Sequence, residues 1–159
     1  MSLKSKMHQK KSLGFSLSEV LATVAITGLL SSVAIPSFKG NIDRSRQNEA
    51  VSSVSQIQTT IAAYADEYGS LPSQWSELNK ISAVITNDGP AEDNNFEPIT
   101  LLGGFYDVTI TNDGNLFTIT ATPNDNSNLN VIACLDLANG ASGMNKGTKD
   151  EETTTPNCG

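Results

Sequence analysis

Between Phe15 and Phe38 this chain carries twenty-four residues with a single charge, Glu19, and a basic stretch containing Lys4, Lys6, Lys10 and Lys11 stands just ahead of them. As a helix the run is ~36 Å long, enough to cross a bilayer. A carboxylate five residues into such a run is costly, roughly 2.5–3.5 kcal/mol near a bilayer centre on insertion scales, so its presence calls for a partner and a purpose. The four lysines orient the segment with its N-terminus in the cytoplasm and send the rest of the chain out.

Three readings of the run compete. A cleaved secretory signal has a shorter apolar core and a small-residue site after it. Ala22, Ala25 and Ala34 are available for that role, but the run continues beyond them. A plain signal anchor has no use for Glu19. In the third reading the chain is cut ahead of the run, between Gly14 and Phe15, which creates an α-amine as the partner Glu19 needs and keeps the run as a working element.

The charge is lopsided. The full chain of 159 residues has a net charge of −7. Four of its ten basic residues precede Gly14, so the remainder holds six bases against seventeen acids, a net of −11. Such a surface repels phosphate backbones, and direct nucleic-acid binding is not expected. The hydrophobic content of 38% is partly spent in the apolar run, which leaves a small core for the exported part. Cores of that size commonly need a staple. The only cysteines, Cys134 and Cys158, would meet an oxidising compartment and are expected to bridge.

Beyond the run, Val51, Val54, Ile57, Ile61, Tyr64 and Tyr68 recur at spacings of three and four. That stripe predicts a helix from 41 to 68 lying against a sheet. Gly69 is expected to end it. Residues 71–78 read as a short helical turn with Ser73 as N-cap, and Trp75 and Leu78 packed inward. Residues 79–104 read as an irregular connection with turns at Asn87–Pro90 and Asn94–Asn95. Strands are predicted over 105–111, 116–122 and 130–137, the first two joined by a hairpin turn at Asn112–Asn115. The polar tail from Gly140 to Gly159 is expected to be loose without Cys158. A long helix followed by an antiparallel sheet is an α+β arrangement.

The N-terminal motif resembles that of the type IV pilins and their relatives. Their signature is Gly, then Phe or Met, Thr, Leu, a variable residue and Glu. This chain reads Gly14-Phe15-Ser16-Leu17-Ser18-Glu19, with Ser16 where Thr is commoner, and continues to Ala34-Ile35-Pro36-Ser37-Phe38, similar to the proline-containing end of the pilin apolar helix. The resemblance implies a leader, 1–14, removed by a prepilin peptidase that also methylates Phe15. It implies an apolar helix, 15–38, that anchors in the membrane and later forms a filament core. An amphipathic continuation, 39–68, and a head, 69–159, with a connecting loop, an antiparallel sheet and a disulfide-bounded C-terminal region would follow. Glu19 would pair with the Phe15 amine of a neighbouring copy, and Gly28 to Pro36 is the candidate stretch for loss of helix on assembly.

The implied partners are further copies of the chain, the peptidase/methyltransferase, and an inner-membrane assembly platform with its ATPase-driven machinery. The implied location is the inner membrane as a single-pass precursor, then an extracellular pilus serving motility, adhesion or DNA uptake. Two alternatives stand beside this one. A pseudopilin or minor pilin of a type II secretion or competence system begins identically, whereas a non-polymerising bitopic surface protein would keep residues 1–14.

No catalytic set is legible. The one histidine, His8, lies in the leader, which leaves no Ser-His-Asp, Cys-His or histidine-based metal arrangement after it. The run Asn124-Asp125-Asn126-Ser127-Asn128 alternates oxygen ligands but lacks the glycine and the later glutamate of a calcium loop, and reads as a solvated turn. No cofactor and no metal are expected, and the reading is of a structural protein, not an enzyme.

Overall fold

A computed structural model describes residues 14–92 and 94–159 of the chain, with the side chains of Pro36 and Ser37 left aside. The lysines of the leader and His8 lie outside the described residues. The chain divides into two compact units that meet between Gly40 and Asn41.

The helical content is dominated by α1, Leu17–Tyr68. In the first unit every described apolar side chain from Phe15 to Phe38 is exposed. Three of the hydroxyls that interrupt this stretch are satisfied on their own helix. Thr23 donates to the carbonyls of Glu19 and Val20, Thr27 to Thr23, and Ser32 to Leu29, at 2.7–2.9 Å. Back-bonding of this kind is how a hydroxyl is tolerated where water is absent.

The second unit is built on the stripe. Ala50, Val54, Ile57, Ile61 and Tyr64 are buried, Val51 is half-buried against the core, and Tyr68 at the end is exposed. Each fully buried aliphatic side chain contributes roughly 1.5–3 kcal/mol. Opposite them stands a five-stranded antiparallel sheet in sequence order. Its strands are β3 (Ile99–Thr100), β4 (Tyr106–Asp113), β5 (Leu116–Pro123), β6 (Val131–Asp136) and β7 (Ser142–Lys146). Val108, Ile110, Phe117, Ile119, Ala121, Val131 and Ala133 form its buried face, as period-two alternation requires. The architecture is α+β, as the sequence predicts.

Several boundaries differ from the sequence reading. β4 runs two residues further, to Asp113 opposite Leu116, so only Gly114 and Asn115 turn. Gly114 has φ +57°, the left-handed first position that a two-residue hairpin assigns to glycine. The connection over 79–104 is not wholly irregular: β1 (Ile85–Thr86) and β2 (Gly89–Pro90) form a small hairpin, and β3 joins the main sheet. The short helix α2 spans Trp75–Leu78 with Gln74, not Ser73, at its N-cap. Ser73 instead gives its backbone N–H (2.7 Å) and its hydroxyl (3.2 Å) to the Glu77 carboxylate. That backbone bond is the main reason Glu77 stays charged below the usual carboxylate range. Trp75 and Leu78 are buried as expected, and the Trp75 indole N–H donates to the Glu97 carbonyl at 2.8 Å.

The largest departure is at the C-terminus. Residues 142–146 of the polar tail form the fifth strand, paired along β6. The remaining residues, 147–159, fold back as a strap. Asn130, buried, clamps it by accepting from the Thr153 N–H (2.9 Å) and donating to the Thr153 carbonyl (3.3 Å). Asn145 donates to the Thr154 carbonyl at 3.1 Å, and the Cys134–Cys158 disulfide closes the end. The helix reaches over to the same region. Gln47 donates to the carbonyls of Gly147 (2.8 Å) and Leu129 (3.2 Å), and Gln58 to those of Cys134 (2.9 Å) and Gly143 (3.3 Å).

Gly147 starts the strap, and a Cβ there would run into the Asn128 carbonyl oxygen. Gly147→Ala must therefore displace the backbone that Gln47 and Asn130 hold. We expect a loss of about 1–3 kcal/mol, the usual cost of forced overpacking. A thermal melt checks this as a drop of several degrees, and an unchanged midpoint would show that the strap gives way freely.

Candidate assembly site and head groove

The N-terminal end of α1 is organised by a reciprocal pair. Ser16 precedes the first helical residue and accepts from the Glu19 N–H at 3.3 Å through its side-chain oxygen. Glu19 reaches back, and its Oε2 accepts from the Ser16 N–H and the Ser16 hydroxyl, both at 2.8 Å. This is a capping box, Ser-x-x-Glu, in which each residue satisfies a donor the helix end leaves open. The carboxylate also sits at the positive end of the helix dipole. Gly14 and Phe15 lie outside the helix, exposed, with Phe15 at 88% of its full accessibility. The peptide bond between Gly14 and Phe15 is open to solvent, and Glu19 lies one turn away. The sequence reading assigned no role to Ser16 beyond noting it in place of Thr. The Ser-x-x-Glu spacing was the signal that could have found it.

Comparison with known proteins gives a consistent picture. The chain is 31% identical over 58 residues to type II secretion system core protein G of Aeromonas hydrophila, covering 36% of this chain and 41% of that protein. It is 28% identical over 81 residues to the protein of the same name from Vibrio cholerae, 51% of this chain and 56% of the relative. It is 40% identical over 48 residues to the type IV major fimbrial protein FimA of Dichelobacter nodosus, 30% of this chain and 31% of the relative. These similarities, to a secretion-system core protein and a fimbrial protein, are consistent with a type IV pilin family. The chain spans between about a third and just over half of the length of these curated relatives. No family model and no solved structure matches it.

The expected site residues fall into three places. Gly14, Phe15 and Glu19 come together at the start of α1 with Ser16. Gly28 and position 36 both lie within α1, and a side chain at Gly28 would meet only open space. The helix containing them is long and apolar enough to cross a membrane by length and composition. Cys134 and Cys158 are joined in the second unit, with Cα atoms 6.0 Å apart and both side chains buried.

The head carries a shallow groove of about 270 Å³ that the sequence did not announce, bordered by Asp43, Arg46, Phe105, Tyr106, Asn124 and Asp125. The Arg46 guanidinium stacks 3.7 Å from the Phe105 ring centre and pairs with Asp43 at 3.8 Å. The Tyr106 hydroxyl donates to the Leu129 carbonyl at 2.9 Å. Burial, with Asp125 and Asp43 adding and Arg46 opposing, pushes its pKa up to about 12. Tyr106 is therefore a neutral donor across the physiological range. The loop noted for its alternating oxygens closes on itself, with Asp125 accepting from the Ser127 N–H at 3.0 Å and Asn126 at φ +55°. The groove's groups bond mainly to one another.

Proposed function

We propose that the chain is a filament subunit of the pilin kind. In this reading the precursor sits in the inner membrane with its N-terminus in the cytoplasm. A prepilin peptidase cuts it between Gly14 and Phe15 and methylates the new terminus. Phe15–Phe38 then leaves the bilayer to form the core of an extracellular filament, drawn by an assembly platform and its ATPase. The head, 69–159, forms the outer surface. The observation that carries the proposal is Glu19, a carboxylate standing at the head of an otherwise exposed apolar span and within one turn of the peptide bond to be cut.

Cutting that bond turns an amide into an ammonium. Both charges are costly in an apolar surrounding, and the cost falls sharply when they meet. Pairing of the Phe15 amine with Glu19 of the neighbouring copy would fix the axial stagger between subunits. Gly28, a weak helix former, and Pro36, which lacks a backbone donor, mark the stretch proposed to lose helix as the filament forms.

A second reading has its own support. The matches to type II secretion core protein G reach over half of this chain, whereas the fimbrial match covers 30%. A pseudopilin shares the cut, the methyl group and the Glu19 pairing, but its polymer serves secretion.

Intact mass of the polypeptide in filaments sheared from native cells tests the proposal. The expected species starts at Phe15, carries one added methyl and lacks two hydrogens for the disulfide. The same processed mass found only in the cell envelope would favour the pseudopilin. A chain found only in membranes with residues 1–14 attached would overturn both.

A further inference from the structure

The turn between β6 and β7 carries the only Asn-Gly pair in the chain, Asn139-Gly140. Both residues are exposed. Gly140 has φ +73°, a left-handed conformation suited to glycine, and a Cβ there would meet open space. The Asn139 side chain is folded back over its own backbone. Its Oδ1 accepts from the Ala141 N–H at 2.7 Å, which fixes the orientation of the amide and turns Nδ2 toward the Cys158 carbonyl, at 3.4 Å. A side chain bonded two residues ahead holds its Cγ beside the intervening peptide nitrogen, here that of Gly140. The Gly140 N–H donates to the Asp136 carbonyl at 2.8 Å, a bond that uses the hydrogen and leaves the face of the nitrogen open.

We propose that Asn139 is a self-modification site, at which the side-chain amide is lost in the folded head. The Gly140 nitrogen attacks the Asn139 Cγ and gives up its proton to water. The new N–Cγ bond closes a cyclic succinimide, and Nδ2 leaves as ammonia. Water then opens the ring at either carbonyl, giving aspartate from one side and isoaspartate from the other. The net change is water in and ammonia out, with nothing oxidised or reduced. The turn favours each part of the step. Glycine has no Cβ to obstruct ring closure. The Ala141 N–H is aimed at the oxygen that becomes negative when the nitrogen adds, and a preset donor there lowers the barrier. The amide is also neutral, whereas the Asp88-Gly89 and Asp113-Gly114 turns offer ionised carboxylates, which resist attack.

The change reaches the strap. Nδ2, a donor toward Cys158, is replaced by an oxygen, so acceptor faces acceptor at the end that the disulfide closes. A negative charge is added there as well. Isoaspartate further lengthens the main chain within the turn, so the bonds to Ala141 and Asp136 cannot both persist. An exported copy that stays in place thus accumulates a loosened strap end with time. The inference rests on the chemistry of the turn alone and holds whether or not the chain enters a filament.

The test incubates the full chain in detergent at mildly alkaline pH, folded and, in parallel, in denaturant. Peptide mapping by mass spectrometry follows every asparagine, and an isoaspartyl methyltransferase labels the isoaspartate formed. In the folded chain Asn139 should convert at least about tenfold faster than any other asparagine, and within about tenfold of its own rate in denaturant. The exposed Asn126-Ser127 pair is the internal standard. Asn139→Gln should abolish conversion at this position, because the longer side chain closes a less favourable ring. Asn139→Asp carries the product's charge from the start. It should raise hydrogen exchange over residues 155–159 and leave β4 and β5 protected. Conversion at Asn139 no faster than at Asn126 overturns the proposal. So does a folded rate more than about tenfold below the denatured one, which would show that the turn guards the pair. Unchanged exchange over 155–159 in a folded Asn139→Asp chain would overturn the coupling to the strap.

Discussion

Glu19→Gln is expected to cut the yield of sheared filament to below about one hundredth of wild type while leaving the melting of the head unchanged. Glutamine is the informative replacement because a capping box accepts Glu or Gln at its third helical position. The reciprocal bonds to Ser16 can therefore persist, and only the charge is lost. On the proposed mechanism the Phe15 amine of the neighbouring copy would then be left unpaired in an apolar core. Breaking a buried ion pair by removing one partner costs about 3–5 kcal/mol, and each 1.4 kcal/mol is about a factor of ten. Ser16→Ala supplies the opposite control. It removes a cap worth about 1 kcal/mol but keeps the carboxylate, so filament yield should fall far less. Immunoblots of sheared fractions against whole-cell lysates decide the matter. Glu19→Gln filaments at wild-type abundance would remove the charge from the assembly mechanism, and a Ser16→Ala loss as large as that of Glu19→Gln would show that the capping geometry, and not the charge alone, governs assembly.

What could be read from the sequence followed the strength of each local pattern. The α1 stripe and the strands β4 and β5 carry unbroken periodicity, and Gly114 marks their turn, so they were legible to within two residues. β7 was not. Its sequence, Ser142 to Lys146, has one apolar side chain, Met144, turned to the core. Its pairing is sustained from outside by Gln58, the strap and the disulfide, all distant in sequence. β3 is two residues long and is defined only by its partner β4. At the candidate site Glu19 was conspicuous as a lone carboxylate in an apolar run, and the motif resemblance supplied the roles of Gly14 and Phe15. Ser16 was visible only as a stand-in for Thr, and its capping role emerges when the helix start is fixed at Leu17. Asn130 is similar: an isolated polar residue whose value lies in a segment more than twenty residues later.

The second large effect is expected at the strap. The double variant Cys134→Ala, Cys158→Ala should lose about 3 kcal/mol of stability, the chain-entropy estimate for a bridge between residues 24 apart. The loss should not be uniform along the segment. Residues 148–154 retain the Asn130 clamp on Thr153, the Asn145 bond to Thr154 and the turn in which Thr148 and Glu151 bond each other. The hydrogen bond that then ties residues 155–159 to the rest of the head is the Asn139 donation to the Cys158 carbonyl, at 3.4 Å. Hydrogen exchange should therefore rise first at the end of the strap and along β7, while β4 and β5 keep their protection. Asn130→Ala makes the complementary break. It orphans the Thr153 N–H beneath the strap, a cost of about 1–3 kcal/mol. Because the clamp and the disulfide restrain the same segment, removing both should not give additive losses. A double cysteine variant that loses under about 1 kcal/mol would mean the asparagine clamp alone seats the strap, and additive losses would mean the two restraints act on separate parts of the head.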